Sequence, residues 1–321
     1  MARTPVRILA LMSPGLDGGL AARLLAEQGL AVEALHFATG FAREAPLARF
    51  GFPVAVQDVR ADYLREVVAA PRYGTGAGAN PCLDCKIFLL RRAAAEAASR
   101  GVDLVCTGEV VGQDGMSQRR EWLARSAREA GLPGRVLRPL SAGLLPETNG
   151  EREGRIDRGR LGTAHGRKRH VQAALAARFG IAEVPASAGG CCRLPERAFA
   201  ARLRDLLAHR SLEEITPEDL AVLHFGRHFR LGPGVKAVVA RNEEEGRRLV
   251  ALAHGRTTAQ AERGALVWLD GEPAAEAEAR AASLAARYGF GMEVVFRRGD
   301  LHRSVVARPP EGTWLEACRV L

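Results

Sequence analysis

The chain has 321 residues, 47% of them hydrophobic, enough to bury the cores of two domains and to exclude a fibrous or disordered chain. No run approaches the roughly 18 apolar residues needed to cross a bilayer, and six cysteines are too few for a disulfide scaffold of this length. The net charge of +9 favours an anionic partner such as nucleic acid, although an Arg-rich, nearly Lys-free composition is also what a GC-rich genome writes on any surface.

The start, MARTPVRILALMSPG, runs a short apolar stretch into a Gly-rich turn rather than a cleavage site, so a cytoplasmic protein without a membrane partner is expected. RILALMS (Arg7 to Ser13) reads as a strand, and Leu20 to Gln28 carries apolar residues at helical spacing. AVEALHFAT predicts a second strand, FPVAVQDV a third after a short basic helical piece, and VDLVCTGEVV a fourth after the helix CKIFLLRRAAAEAASRG. Strands alternating with helices imply an α/β fold with a doubly wound parallel sheet. Ligands of such sheets collect beyond the carboxyl ends of the strands, where the loops holding Ser13 to Gly19, Asp58 and Thr107 to Gln118 are expected to meet.

Glu147 to Arg169 is polar, Gly-rich and strongly basic, and reads as an exposed arm before the amphipathic helix HVQAALAARFGI. Cys191 and Cys192 fall in a small-residue loop ahead of another helix. From about Leu223 the pattern changes: HFRLG, VKAVVARN, GALVWLDG, MEVVFRRG and HRSVVARPP read as strands, with helices at Glu243 to His254 and Ala274 to Tyr288. The expected division is residues 1–175 as the α/β domain, 176–222 as cysteine loop and helical connector, and 223–321 as a smaller α+β domain.

Three features carry chemistry. PGLDGG after a strand and before a helix would present backbone N–H groups and a positive dipole end to phosphate, though such a turn also serves as a simple connection. In NPCLDCK, Cys82 and Cys85 sit two residues apart at a helix start, where the dipole and Lys86 favour thiolate. A lone C-x-x-C fits a dithiol, half a zinc site or part of an iron–sulfur site. In SAGGCCR, glycines let the backbone approach a ligand, so Cys191 or Cys192 could complete a three-thiolate site. Cys106 and Cys318 read as ordinary core cysteines. His165/His170 and His224/His228 are spaced loosely like ligand pairs, but their Arg and aromatic neighbours suit solvent, RNA or local core better.

Taken in order, Ser13-Pro14-Gly15-Leu16-Asp17-Gly18, NPCLDCK, GEVVGQDGMSQ (Gly108 to Gln118), LRPLSAGLLPET, GRKRHVQ and SAGGC resemble the PP-loop ATP pyrophosphatase superfamily, specifically its tRNA-thiolating, thiouridylase-like branch. The tail GRHFRLGPGVKAVVARNEEE resembles the small C-terminal domain that accompanies these proteins. The resemblance implies that ATP adenylates a uridine oxygen of tRNA and that sulfur, from sulfide or a persulfide carrier, displaces AMP. It also implies a [4Fe–4S] cluster on Cys82, Cys85 and Cys191 with one iron open for sulfide; Cys192 is an extra thiol that could replace the third ligand or relay sulfur.

The nucleotide contacts so implied are Ser13, Gly15, Asp17, Gly18 and Gly19, with Asp17 near pyrophosphate and Mg²⁺. Glu109 is a candidate for polarising substrate or holding a cation, Ser117 and Gln118 for base or nucleotide contacts, and Arg167, Lys168 and Arg169 for RNA phosphates. The family loop reads S-G-G-x-D-S. Here Pro14 removes one N–H donor and Gly18 one hydroxyl, at roughly 1.5–3 kcal/mol for each hydrogen bond lost to a charged phosphate, which counts against ATP and Mg²⁺. The alternative is therefore an ATP-independent iron–sulfur sulfur carrier or desulfidase acting on a small thiolated substrate; a silent RNA-binding module is a third reading. A homodimer is compatible with the sequence.

Overall fold

The computed structural model describes residues 6–43, 47, 50–182, 190–310 and 313–321. Two compact units, residues 1–193 and 194–321, divide the chain.

In the first unit, β1 (Arg7–Leu11), β2 (Ala31–Ala38), β3 (Val54–Asp58), β4 (Leu104–Cys106) and β5 (Val136–Leu137) form one sheet in the order β3-β2-β1-β4-β5. Every pairing is parallel, which gives the α/β doubly wound sheet expected from sequence. Ile8, Leu9 and Ala10 are fully buried, because the central strand is covered on both faces. The helices are α1 (Leu16–Ala26), α2 (Arg60–Tyr63), which runs into a π-helical turn at Leu64–Val68, α3 (Cys82–Arg100), α4 (Arg120–Glu129), α5 (Asn149–Arg152) and α6 (His170–Arg178). Leu16, Leu20, Leu24 and Leu25 of α1 pack with Ile8, Ala34 and Ala176 into the main core. The chain reverses direction across the sheet between β1 and β4, so the crevice beyond their carboxyl ends is the topological switch point at which such sheets bind ligands.

Several expectations are corrected. The fourth strand is three residues long, because the chain turns at Gly108 to lie against α1. The basic stretch from Glu147 to Arg169 is no exposed arm: Ile156 and Ala164 are buried in the main core, and Arg158 pairs with Glu151 at 2.6 Å. The basic helical piece expected between β2 and β3 falls largely outside the described residues, as do Ser187 to Gly189 of the SAGGC motif.

The second unit begins with α7 (Arg197–His209) and α8 (Pro217–Val222) and continues as an antiparallel sheet ordered β11-β10-β8-β9-β7-β6. Its strands are β6 (Arg227–Gly232), β7 (Val235–Val239), β8 (Thr257–Gly264), β9 (Val267–Asp270), β10 (Gly289–Arg298) and β11 (Leu301–Val306). The helix α10 (Ala275–Arg287) covers one face through Ala281, Leu284 and Ala285 against Phe229, Ala259 and Val294. On the other face Leu249 of α9 (Glu243–Ala251) and Val222 of α8 pack on Trp268. The short α11 (Trp314–Ala317) precedes a terminal segment that pairs with β6. No helix among the described residues is long and apolar enough to cross a membrane.

Candidate functional site

Two groups of side chains meet at the switch point. The first is the turn after β1. Gly15 is the N-cap of α1, and its N–H donates to Ser13 Oγ at 3.3 Å, so the serine hydroxyl is turned back onto the loop. Gly18 lies against the backbone: a Cβ there would stand 3.0 Å from the Leu11 carbonyl oxygen, a tight approach. Gly19 serves packing, since its Cβ would lie 2.1 Å from the buried Phe50 ring.

Asp17, in the first turn of α1, is held from two sides. Arg169 Nη2 lies 3.0 Å from Oδ1 and Gln113 Nε2 donates to Oδ2 at 2.7 Å; Gln172 in turn donates to Gln113 at 2.9 Å. Arg169, expected among the RNA contacts, is thus brought to the loop, while Arg167 and Lys168 stay exposed.

The second group is the cysteine pocket. Pro81 precedes α3, and Cys82 and Cys85 occupy its first turns. Cys191 and Cys192 arrive from far along the chain, because residues 191–193 pair antiparallel with the extension of β2: Ala42 bridges Cys192, and the Arg193 N–H donates to Phe41 O at 2.9 Å. Gly190 turns the chain into this pairing with a φ of +85°, the left-handed region that favours glycine. Cys82, Cys85 and Cys191 are near enough to feel one another's charge, and the Lys86 ammonium interacts with all three. Tyr63, buried at the end of α2 between the rings of Phe41 and Phe88, hydrogen-bonds Cys85.

The expected lowering of the C-x-x-C thiols by the helix dipole is corrected. Burial pushes Cys82 up and Cys85 up to about 12, outweighing Lys86 and the Tyr63 hydroxyl. Cys191 is the exception: the Cys192 hydrogen bond, Lys86 and backbone N–H groups outweigh its desolvation and bring it to about 6.

Glu109 closes the back of this pocket. Its carboxylate accepts from Arg138 Nε at 2.9 Å and Thr107 Oγ1 at 3.0 Å, and lies 3.4 Å from Lys86 Nζ. It is 3% exposed, and although burial raises it, Lys86 and Arg138 hold it down to about 2. It therefore sets the position of Lys86 rather than meeting solvent. Ser117 and Gln118 brace the turn around Asp114: Ser117 Oγ donates to Asp114 Oδ1 at 3.0 Å, and Gln118 Oε1 accepts from the Asp114 N–H at 3.1 Å.

Cys106 is buried in β4, and Cys318 belongs to the second unit. His228 is buried with Nε2 on the Phe225 carbonyl, and His224 meets the Phe199 ring edge-on. Sequence reasoning missed Tyr63, Gln113, Gln172 and Gly108. Of these only Gly108, a glycine directly after an apolar strand, carried a signal; its Cβ would lie 2.3 Å from the Asp17 backbone.

Two curated relatives are similar to this chain: the tRNA-specific 2-thiouridylase MnmA of Thermobifida fusca, 33% identical over 128 residues, and that of Desulfosudis oleivorans, 34% identical over 111 residues. The matches cover 33% and 32% of this chain, which spans about a third of each relative's length, 35% and 31%. A solved 4-thiouridine synthetase–RNA complex with bound ATP shares 20% identity at a TM-score of 0.38, over 68% of this chain and 52% of that one. Residues 226–295 match the NFACT protein RNA binding domain.

Proposed function

We propose that the chain inserts sulfur into a nucleoside of tRNA, with Cys82, Cys85, Cys191 and Cys192 as its sulfur-handling centre. The gathering of these thiols about Lys86 at the switch point carries this reading, in a chain similar to tRNA-specific 2-thiouridylases. The match of residues 226–295 to an RNA binding domain and the net charge of +9 support tRNA as the partner.

A [4Fe–4S] cluster fits the chemistry of the donor set, in which three thiols from two chain segments share one pocket with one ammonium. Among the described residues no three His, Cys, Asp or Glu side chains are already arranged to hold a metal ion, so binding would draw the thiols together. Cys82, Cys85 and Cys191 would hold the cluster, which when bound would supply an open iron for sulfide. Lys86 holds negative charge on sulfur, Glu109 fixes Lys86, and Tyr63 orients Cys85. Cys192 remains beside Cys191 as a substitute or relay thiol. Sulfide or a persulfide carrier would be the donor.

Adenylation of the base would use the turn of Ser13 to Gly19, with Arg169 replacing part of the positive field that Pro14 removes and Asp17 available to Mg²⁺ once released by Arg169. The engagement of Asp17 by Arg169 and Gln113 favours a second reading, an ATP-independent sulfur carrier or desulfidase.

Anaerobic purification with iron and acid-labile sulfide assayed, wild type beside Cys82→Ala and Cys191→Ala, tests the centre. About four irons and four sulfides per chain, lost in both variants, are expected. Zinc or no metal would remove the cluster from the mechanism. Incubation with unmodified tRNA and sulfide, with and without ATP, followed by nucleoside mass spectrometry, separates the readings. ATP-dependent thiouridine supports the first, and sulfur release from a thiolated substrate without ATP supports the second.

A further inference from the structure

The second unit exposes an aromatic ring where its neighbours leave it uncovered. Phe290, at the start of β10, is 79% exposed. It lies between Gly289 and Gly291, and Gly289 pairs with Gly264 across the strand, so three neighbouring positions carry no side chain to shield the ring. Gly264 (φ +134°) and Gly291 (φ +93°) adopt backbone that other residues rarely take, so this bareness is built into the strand ends.

Arg263 is the residue paired directly with Phe290. Ala259 and Ala261 of β8 face the core under α10, and the alternation of a strand puts Arg263 on that same face, just past the helix end. Among the described residues Arg263 makes no ion pair, and the neighbouring Glu262 alternates to the other side of the strand. Arg287 and Arg227 stand 5.8 Å and 5.0 Å from the ring of Tyr288, two residues before Phe290. One sheet end thus carries a bare aromatic ring and three guanidiniums, all within the residues that match an RNA binding domain.

A solvated Phe beside unpaired Arg does nothing for the fold. Unpaired nucleobases stack on exposed aromatic rings while guanidiniums take the adjoining phosphates, and duplex RNA, whose bases are already stacked, cannot use such a ring. We propose that this strand end receives an unpaired nucleotide of the substrate RNA, its base on Phe290 and its backbone on Arg263 and Arg287. The proposal rests on the reading that RNA is the partner.

Fluorescence anisotropy of the full chain with a labelled single-stranded RNA 12-mer, and with a duplex of the same length, tests it. Phe290→Ala weakens single-strand binding about 10-fold and leaves duplex binding unchanged; Phe290→Trp restores the affinity. Arg263→Ala weakens both and lowers the salt slope by about one phosphate contact. Equal single-strand affinity for wild type and Phe290→Ala overturns the platform while the RNA reading stands, whereas absence of RNA binding by wild type overturns both. A dimer of the wild type that Phe290→Ala dissociates, without effect on RNA, assigns the surface to a second copy and overturns the proposal.

Discussion

Cys191 differs from the other pocket thiols in both charge and access: it is exposed, and its ionisation is drawn down to about 6 by Cys192 and Lys86, while Cys85 is pushed up to about 12 by burial. In metal-free protein, iodoacetamide should therefore modify Cys191 first, with a rate rising to half its plateau near pH 6 as read by peptide mass spectrometry. Lys86→Ala should shift that midpoint upward. Glu109 gives a second test at this scale. Its folded value of about 2 lies below the ordinary 4.5, so its ionised form stabilises the fold above pH about 4.5 and that contribution fades as pH falls toward 2. Glu109→Gln leaves Arg138 buried without its carboxylate, at about 3–5 kcal/mol, and should lower the melting temperature at neutral pH while flattening its acid dependence. The cysteines were legible because C-x-x-C and GGCC are unusual local patterns. Tyr63 and Gln113 were not, nor was the pairing of Arg169 with Asp17, since each acts by meeting a residue distant in sequence, and no local pattern records that meeting.

At the scale of elements, the turn after β1 is shaped by close backbone approach. Gly108→Ala would drive a methyl into the Asp17 backbone and should destabilise the first unit by about 1–3 kcal/mol, measured by denaturant unfolding. Substitutions toward the S-G-G-x-D-S pattern should have unequal effects. Pro14→Gly returns an N–H and is expected to tighten ATP binding in calorimetry, whereas Gly18→Ser puts its Cβ at the 3.0 Å approach to Leu11 O and should cost stability instead. Strands β1 to β4 of the parallel sheet were readable as apolar runs, and α1, α3, α6, α7, α9 and α10 by their spacing. β5, two residues long, offers no period, and β8 reads TTAQAERG, too polar to announce a strand that is half covered. The stretch from Glu147 to Arg169 looked like a solvated arm because its charge density hides single apolar anchors, Ile156 and Ala164, and because its arginines find carboxylates.

At the scale of the molecule, each unit has its own core. The second is built from residues from Val222 onward in its two clusters, so residues 194–321 expressed alone should unfold in a single cooperative thermal transition followed by circular dichroism. The change of character near Leu223 made the second sheet visible in the sequence, but helices α7 and α8 group with that unit for reasons of packing that composition does not carry. In the first unit, Ala42 bridges Cys192 across almost the whole length of the domain. Loop closure over such a span is entropically slow, and on a ribosome the partner segment emerges only after the entire parallel sheet has been made. The pocket that brings Cys191 to Cys82 and Cys85 is therefore completed only after every strand of the parallel sheet has been synthesised.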